Sequence, residues 1–227
     1  MRLDRFICKS TSLTQPEALT RIASGRVIVN GDVVRNNAKQ VHENNLITLD
    51  GAPITPRASR YIMFHKPVDT VCSNVDDAYP SLFNLIDIER AGDLHIAGRL
   101  DADTTGLVLI TDDGRWTFHI TSPKTLCEKT YRVGLRDPIA EDAVLRFSQG
   151  IQLQGETALT APAKLEIIHA KEVLLTITEG RFHQVKRMFA ATGNKVKSLH
   201  RERIGAVNLD IDLAQWRYLT PSEVLSF

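Results

Sequence analysis

Apolar side chains near the start of the chain recur at the spacing of an amphipathic helix. Leu3, Phe6 and Ile7 follow i, i+3, i+4 spacing, which predicts a short first helix. Residues 14–17, Thr-Gln-Pro-Glu, have the pattern of a capping box with proline in the first turn. They predict a second helix that continues to about Ala23 and ends at Gly25.

A turn signal between two β-branched runs follows the second helix. Asn30 and Gly31 separate residues 27–29 from residues 33–34, and this pair favours the positive φ angles of a tight hairpin. Residues 50–56 are rich in turn formers and poor in core residues, so they predict a linker. The domain boundary is expected near residue 58, which divides the chain into domains 1–58 and 59–227.

The second part of the chain alternates strand-like and loop-like patterns. Residues 61–67 predict a strand that is broken by Pro67. The continuous apolar run at residues 107–110 is typical of a strand buried on both faces. The polar residues before it predict a loop that a rigid core strand holds in place, as reactive groups often require. Val185, Met188 and Phe189 are spaced to face a core from one helix.

Composition excludes several classes of protein. The chain is 43% hydrophobic and 24% charged, which is ordinary for a soluble globular protein. No apolar stretch reaches the ~18 residues of a membrane span, and no signal-peptide pattern precedes the first helix. Cys8, Cys72 and Cys127 form no CxxC pair, so reduced thiols in a cytoplasmic protein are expected rather than disulfides or a zinc site.

The net charge of +1 hides two basic segments. Residues 1–60 hold nine Lys or Arg against five Asp or Glu, and residues 181–203 hold seven against one. Basic patches in a nearly neutral chain favour polyanion contacts on chosen surfaces. A solvated helix face is the alternative for either segment taken alone.

The carboxylates around residue 101 allow three interpretations. Asp101, Asp103, Thr105, Gly106 and Asp112 fall on ligand positions of an EF-hand calcium loop. That loop requires flanking helices and usually ends in a bidentate glutamate, whereas the second half here is strand-like. An Asp-rich turn between strands is the second interpretation, and the spacing alone does not exclude it. The third interpretation comes from a family resemblance.

The N-terminal motifs resemble the αL RNA-binding module. The matching segments are Arg-Leu-Asp at residues 2–4, Gly-Arg-Val at residues 25–27 and Val-Asn-Gly at residues 29–31. A generic helix–hairpin domain is the alternative. The resemblance implies that basic side chains neutralise backbone phosphates of RNA. The candidates are Arg2, Arg5, Lys9, Arg21 and Arg26.

The central motifs resemble those of the pseudouridine synthases, in the branch that modifies ribosomal RNA. Residues 98–107 read Gly-Arg-Leu-Asp-Ala-Asp-Thr-Thr-Gly-Leu, similar to the family signature. Lys66 and Pro67 with Ser73 resemble the first motif, and residues 179–188 resemble the third. The resemblance implies an α+β fold: a small αL domain, then a catalytic domain with a mixed, mainly antiparallel sheet flanked by helices.

The resemblance also implies a reaction and its partners. Uridine becomes pseudouridine when the N1–C1′ bond breaks and the uracil rejoins through C5, so no cofactor and no metal are expected. The implied substrate is one uridine of 16S rRNA, free or in a small-subunit assembly intermediate, and a monomer is expected. The alternatives are a synthase acting on 23S rRNA and a non-catalytic RNA-binding or ribosome-assembly protein.

Three residues form the catalytic set that the resemblance implies. Asp101 is the catalytic carboxylate, Lys186 its cation and Tyr131 the platform for the flipped base. Without the motifs, Lys186 would be interpreted as a solvated lysine and Tyr131 as a strand core residue. Substrate contacts are expected from Arg99, Arg181, Arg187 and Lys129. A phosphate-binding rim is expected from Arg181, Arg187, Lys195, Lys197, Arg201 and Arg203.

Overall fold

The computed structural model describes residues 1–42 and 44–227. They form two compact units, Met1–Ala58 and Ser59–Phe227, each with its own apolar core. In the part of the chain that is described, no helix has both the length and the apolar character needed to cross a bilayer.

The first unit packs two helices against a small antiparallel sheet. Its described elements are α1 (Leu3–Ser10), α2 (Gln15–Ala23), β1 (Val27–Val29), β2 (Asp32–Val33), β3 (Ile47–Leu49) and β4 (Ala52–Pro53), with strand order β2-β1-β3-β4. Both predicted helices are confirmed, and Glu17 accepts a hydrogen bond from the Thr14 backbone N–H at 2.8 Å. Asn30 and Gly31 have φ angles of 53° and 93°, which confirms the predicted hairpin.

The prediction of a linker at residues 50–56 was wrong for its first half. Asp50 and Gly51 form a hairpin turn with positive φ, and Ala52 pairs with Leu49 across it. The Ile54 backbone N–H also donates to the Ile47 carbonyl at 3.0 Å. Turn-forming residues suit a tight hairpin as well as a linker, and composition does not separate the two.

The second unit is described in full and forms a nine-stranded mixed sheet. Its elements are β5 (Tyr61–Lys66), β6 (His95–Ile96), β7 (Thr105–Thr111), α3 (Gly114–Thr121), β8 (Lys129–Leu135), α4 (Ala143–Gln149), β9 (Lys164–His169), β10 (Glu172–Ile177), α5 (Gln184–Ala191), β11 (Val196–Ile204), β12 (Val207–Asn208), β13 (Trp216–Tyr218) and α6 (Pro221–Leu225). The strand order is β13-β5-β7-β11-β8-β10-β9, with β6 beside β7 and β12 beside β11. Within this unit β7 and β11 run parallel and the other pairs are antiparallel, which confirms the predicted α+β class.

The central strand β7 is buried on both faces, as its apolar run predicted. Val108 and Ile110 face one apolar cluster, which α4 and α5 cover. Leu107 and Leu109 face a second cluster, which includes Trp116 of α3. Alternate residues of a strand point to opposite faces, so a single strand anchors both layers.

Close contact between β7 and β11 depends on Gly106. Its φ is 113°, and a Cβ atom there would lie 2.3 Å from the Arg201 carbonyl oxygen. Only glycine allows this approach, because any side chain would collide with the neighbouring backbone. The approach brings Arg201 of β11 against the strand that begins directly after the residue 101 loop.

Candidate active site

A buried lysine holds the loop that carries Asp101. Lys66, at the end of β5, donates from Nζ to the carbonyls of Pro67 (2.9 Å), Ala102 (3.2 Å) and Thr104 (3.0 Å). Burial lowers its pKa, and nearby carboxylates oppose that effect. From the sequence, Lys66 was predicted only as part of a motif. Lys66 is the last residue of an apolar strand and directly precedes a proline. A lysine in that position could have indicated a buried side chain with a structural role.

Asp101 lies in a cleft between this loop and the start of α5. Its Oδ2 accepts a hydrogen bond from Lys186 Nζ at 2.8 Å, and its Oδ1 lies 3.4 Å from His183 Nε2. The Asp101 side chain is 30% exposed, so it is reachable from solvent but partly desolvated. The contact with His183 was not anticipated from the sequence.

Lys186 is shared between two carboxylates, which corrects the expectation that it serves Asp101 alone. Its Nζ also donates to Asp103 Oδ1 at 2.6 Å. Burial opposes ionisation of Lys186, but these hydrogen bonds raise its pKa on balance. For Asp103, burial is likewise outweighed, and the Lys186 contact lowers the pKa. The two carboxylates differ in exposure, because the Asp103 side chain is 72% exposed and the Asp101 side chain is 30% exposed.

Tyr131 lines the same cleft from β8, next to a buried arginine. The Tyr131 hydroxyl accepts from Arg201 Nη1 at 3.3 Å, and the guanidinium carbon lies 5.8 Å from the ring centroid. Arg201 also donates to the carbonyls of Leu107 and Gly98, each at 2.8 Å. The prediction that Arg201 belongs to a phosphate-binding rim was wrong, because its donors are used inside the unit.

Arg181 and Arg187 hold a surface segment through one carboxylate. Arg181 Nη1 lies 2.5 Å from Glu156 Oε2, and Arg187 Nη1 lies 2.6 Å from Glu156 Oε1. Hydrogen bonds from both arginines lower the pKa of Glu156. Arg181 also donates to the Leu159 carbonyl, and Arg187 donates to that of Gln154. RNA phosphates would therefore compete with an internal partner for these guanidinium groups.

The other predicted substrate contacts differ in exposure. Lys129 is buried and donates from Nζ to the Cys127 carbonyl at 2.7 Å, and burial lowers its pKa. Arg99 is exposed. The cleft is lined by Gly98, Arg99, Asp101, Lys129, Tyr131, Arg181, His183, Lys186 and Arg201, among others. It therefore collects all three residues of the predicted catalytic set.

The first unit contains five basic residues that were predicted to bind RNA. They differ in their ion-pair partners and in their exposure. Arg2 pairs with the buried Asp4 at 2.7 Å. Arg21 and Arg26 both pair with Asp50, Arg21 at 3.2 Å. Arg5 is exposed and Lys9 is half-buried.

The calcium-loop interpretation is excluded by the geometry of β7. The extended strand spans roughly 20 Å and separates Asp112 from Asp101 and Asp103. Asp112 instead pairs with Arg60 at 3.1 Å. Among residues 1–42 and 44–227, no three His, Cys, Asp or Glu side chains are grouped to hold a metal ion.

Comparison with known proteins gives consistent matches across the chain. Residues 60–191 match the RNA pseudouridylate synthase family model, and residues 1–47 match the S4 domain model. The chain is 52% identical to the ribosomal small subunit pseudouridine synthase A of Vibrio cholerae serotype O1, covering 100% of this chain and 99% of the relative. The Escherichia coli K12 protein of that name is 49% identical over the same shares. A crystal structure of a pseudouridylate synthase is similar over 100% of this chain and 99% of that one, with TM-score 0.74 and 48% identity.

Proposed function

We propose that this chain, which belongs to the RNA pseudouridylate synthase family, isomerises one uridine of 16S rRNA with Asp101 as its catalytic carboxylate. The chain is a pseudouridine synthase, an isomerase, that carries an S4 domain. The choice of 16S rRNA is supported by two relatives that are named as small-subunit enzymes. Each of them matches this chain over 99% of its own length. We propose that it acts in the cytoplasm, as a monomer, on 16S rRNA or a small-subunit assembly intermediate.

The observation that carries the catalytic assignment is the Lys186–Asp101 contact inside the cleft. Cleavage of the N1–C1′ bond builds positive charge on the sugar, and a carboxylate stabilises that charge or adds to the reacting carbon. Lys186 Nζ lies 2.8 Å from Asp101 Oδ2 and places a positive charge directly beside this carboxylate. No outside oxidant, reductant or group donor is needed, because the uracil leaves N1 and returns through C5 of the same ring.

A uridine within folded rRNA must leave its stack before this carboxylate reaches its glycosidic bond. Tyr131 is 8% exposed, lines the cleft and has its hydroxyl held by Arg201, and we propose its ring as the platform for the base. Arg99 is exposed at the same cleft and is proposed to contact a phosphate or fill the gap left by the base. Arg181 and Lys129 line the cleft and are proposed to shape its walls, whereas Arg187 is proposed to support the neighbouring turn through the Phe182 carbonyl.

The test compares two matched substitutions, Asp101→Asn and Asp103→Asn. Both carboxylates accept a hydrogen bond from Lys186, and each change keeps the side-chain shape while removing one charge. Tritium release from 5-labelled uridine in 16S rRNA measures turnover. Asp101→Asn is expected to abolish release and to retain RNA binding, whereas Asp103→Asn is expected to lose less than about tenfold. The reverse order would refute the assignment of Asp101.

The substrate is tested by mapping pseudouridine in 16S rRNA, 23S rRNA and small-subunit assembly intermediates after incubation with the purified chain. A single new pseudouridine in 16S rRNA supports the proposal. Modification of 23S rRNA alone would refute 16S rRNA as the substrate but would leave the proposed reaction unchanged. No modification of any of these RNAs, together with intact binding, would favour the non-catalytic alternative and refute the proposal.

A further inference from the structure

Phe182 presents an aromatic ring to solvent directly beside the cleft. The residue is 75% exposed, although burying a ring of this size is strongly favoured. The ring stacks on that of His183, with a centroid separation of 3.8 Å and an interplanar angle of 21°. His183 lines the cleft, and its Nε2 lies 3.4 Å from Asp101 Oδ1. The two rings thus form a stack that leads from solvent to the candidate carboxylate.

The turn that carries these rings is held firmly from several sides. His183 has φ 47° and ψ 34°, a left-handed conformation that is unfavourable for a residue with a side chain. The Arg181 backbone N–H donates to Gln184 Oε1 at 2.8 Å, and Gln184 Nε2 donates to Glu179 Oε1 at 2.9 Å. Arg187 Nη1 donates to the Phe182 carbonyl at 3.1 Å. These contacts hold the backbone of the turn, and the ring of Phe182 is oriented by its stack on His183.

We propose that Phe182 is a stacking platform for an rRNA base that flanks the target uridine, with His183 supporting it from the cleft side. The inference rests on the proposed function and adds a substrate-positioning residue to it. An exposed aromatic beside basic groups is the usual arrangement for holding unstacked bases. The basic group here is the exposed Arg99, which lines the same cleft. Flipping the uridine leaves its neighbours with an open face, and Phe182 offers a ring to cover one of them.

The experiment compares Phe182→Leu and Phe182→Ala with Phe182→Tyr in steady-state modification of an rRNA fragment. Leucine keeps apolar bulk but has no ring, so the platform predicts a rise in KM of roughly tenfold for Leu and Ala, with kcat nearly unchanged. Tyrosine is expected to retain wild-type KM. The matched control is Phe118→Ala, which removes another exposed ring (58% exposed) on α3 that does not line the cleft. It is expected to leave both constants unchanged.

Abasic substitutions in the RNA identify the stacked base. Removing the base that Phe182 covers is expected to raise KM about tenfold for the wild-type protein and no further for Phe182→Ala, because both changes delete one interaction. Equal KM values for Phe182→Leu and wild type would refute the proposal that Phe182 is a stacking platform. It would also be refuted if, at every flanking nucleotide, the KM effects of the abasic substitution and of Phe182→Ala were additive.

A binding measurement separates failure of this inference from failure of the proposed function. Fluorescence of 2-aminopurine placed at the flanking nucleotides reports stacking and needs no turnover. If the wild-type protein modifies no rRNA but quenches one 2-aminopurine in a manner that requires Phe182, the catalytic proposal falls and the platform stands. If turnover is normal and quenching is the same in Phe182→Ala, the platform falls and the catalytic proposal stands.

Discussion

Replacement of Lys186 by methionine tests the electrostatic core of the site. Methionine keeps the unbranched apolar stem of lysine and removes the ammonium group that contacts Asp101 at 2.8 Å and Asp103 at 2.6 Å. The two carboxylates would then face each other without the cation that they share. The expected result is slower chemistry with little change in RNA affinity, because the Lys186 ammonium is directed at carboxylates rather than offered to phosphates.

The magnitude follows from the bond to Asp101. A hydrogen bond to a charged group is worth about 1.5–3 kcal/mol, and about 1.4 kcal/mol changes a rate tenfold. Loss of that support in the transition state predicts a fall in kcat of about 10- to 150-fold. The Lys186 side chain is 25% exposed, so water compensates in part and the lower half of this range is expected.

Single-turnover tritium release at saturating protein measures the chemical step, and a filter-binding titration measures RNA affinity. Lys186→Arg keeps the charge and is expected to recover part of the loss. Lys171→Met removes an exposed lysine between β9 and β10 and serves as the matched control, with kcat and RNA affinity unchanged. A Lys186→Met protein that retains kcat, or one that loses only affinity, would refute the assignment of Lys186 as the cation of Asp101.

Two further predictions concern the support of the site and the stability of the unit. Lys66→Met leaves the Ala102 and Thr104 carbonyls without their lysine donor, so a loss of about 2–4 kcal/mol in free energy of unfolding by urea titration is expected; an unchanged midpoint would contradict it. Hydrogen bonds from Arg217 lower the pKa of Glu223 from 4.5 to about 2. A lowered pKa stabilises the fold above pH 4.5, and this contribution disappears as the pH falls through about 2. Because the pair is partly exposed, Glu223→Gln is expected to cost about 1 kcal/mol at pH 7, with no difference from wild type in melts near pH 2.

Local patterns predicted the regular elements well because they depend on neighbouring residues. The capping pattern at residue 14, the Asn30–Gly31 turn and the apolar run of β7 each correspond to an observed element. The linker at residues 50–56 was partly wrong, since a turn-rich segment also fits a hairpin, and only strand pairing distinguishes the two.

The sequence by itself determined the family and, through that resemblance, the α+β class and the motif in which Asp101 lies, because motifs are properties of the linear chain. Only the tertiary structure decided which charged groups meet. Lys186 reaches Asp101 and Asp103 across 85 and 83 residues of chain, and is shared between them. Arg201 was expected at the surface and lies buried against Tyr131. The partner of a charged side chain depends on how distant parts of the chain pack together. The number of residues between two charged groups does not determine the distance between them in the folded protein.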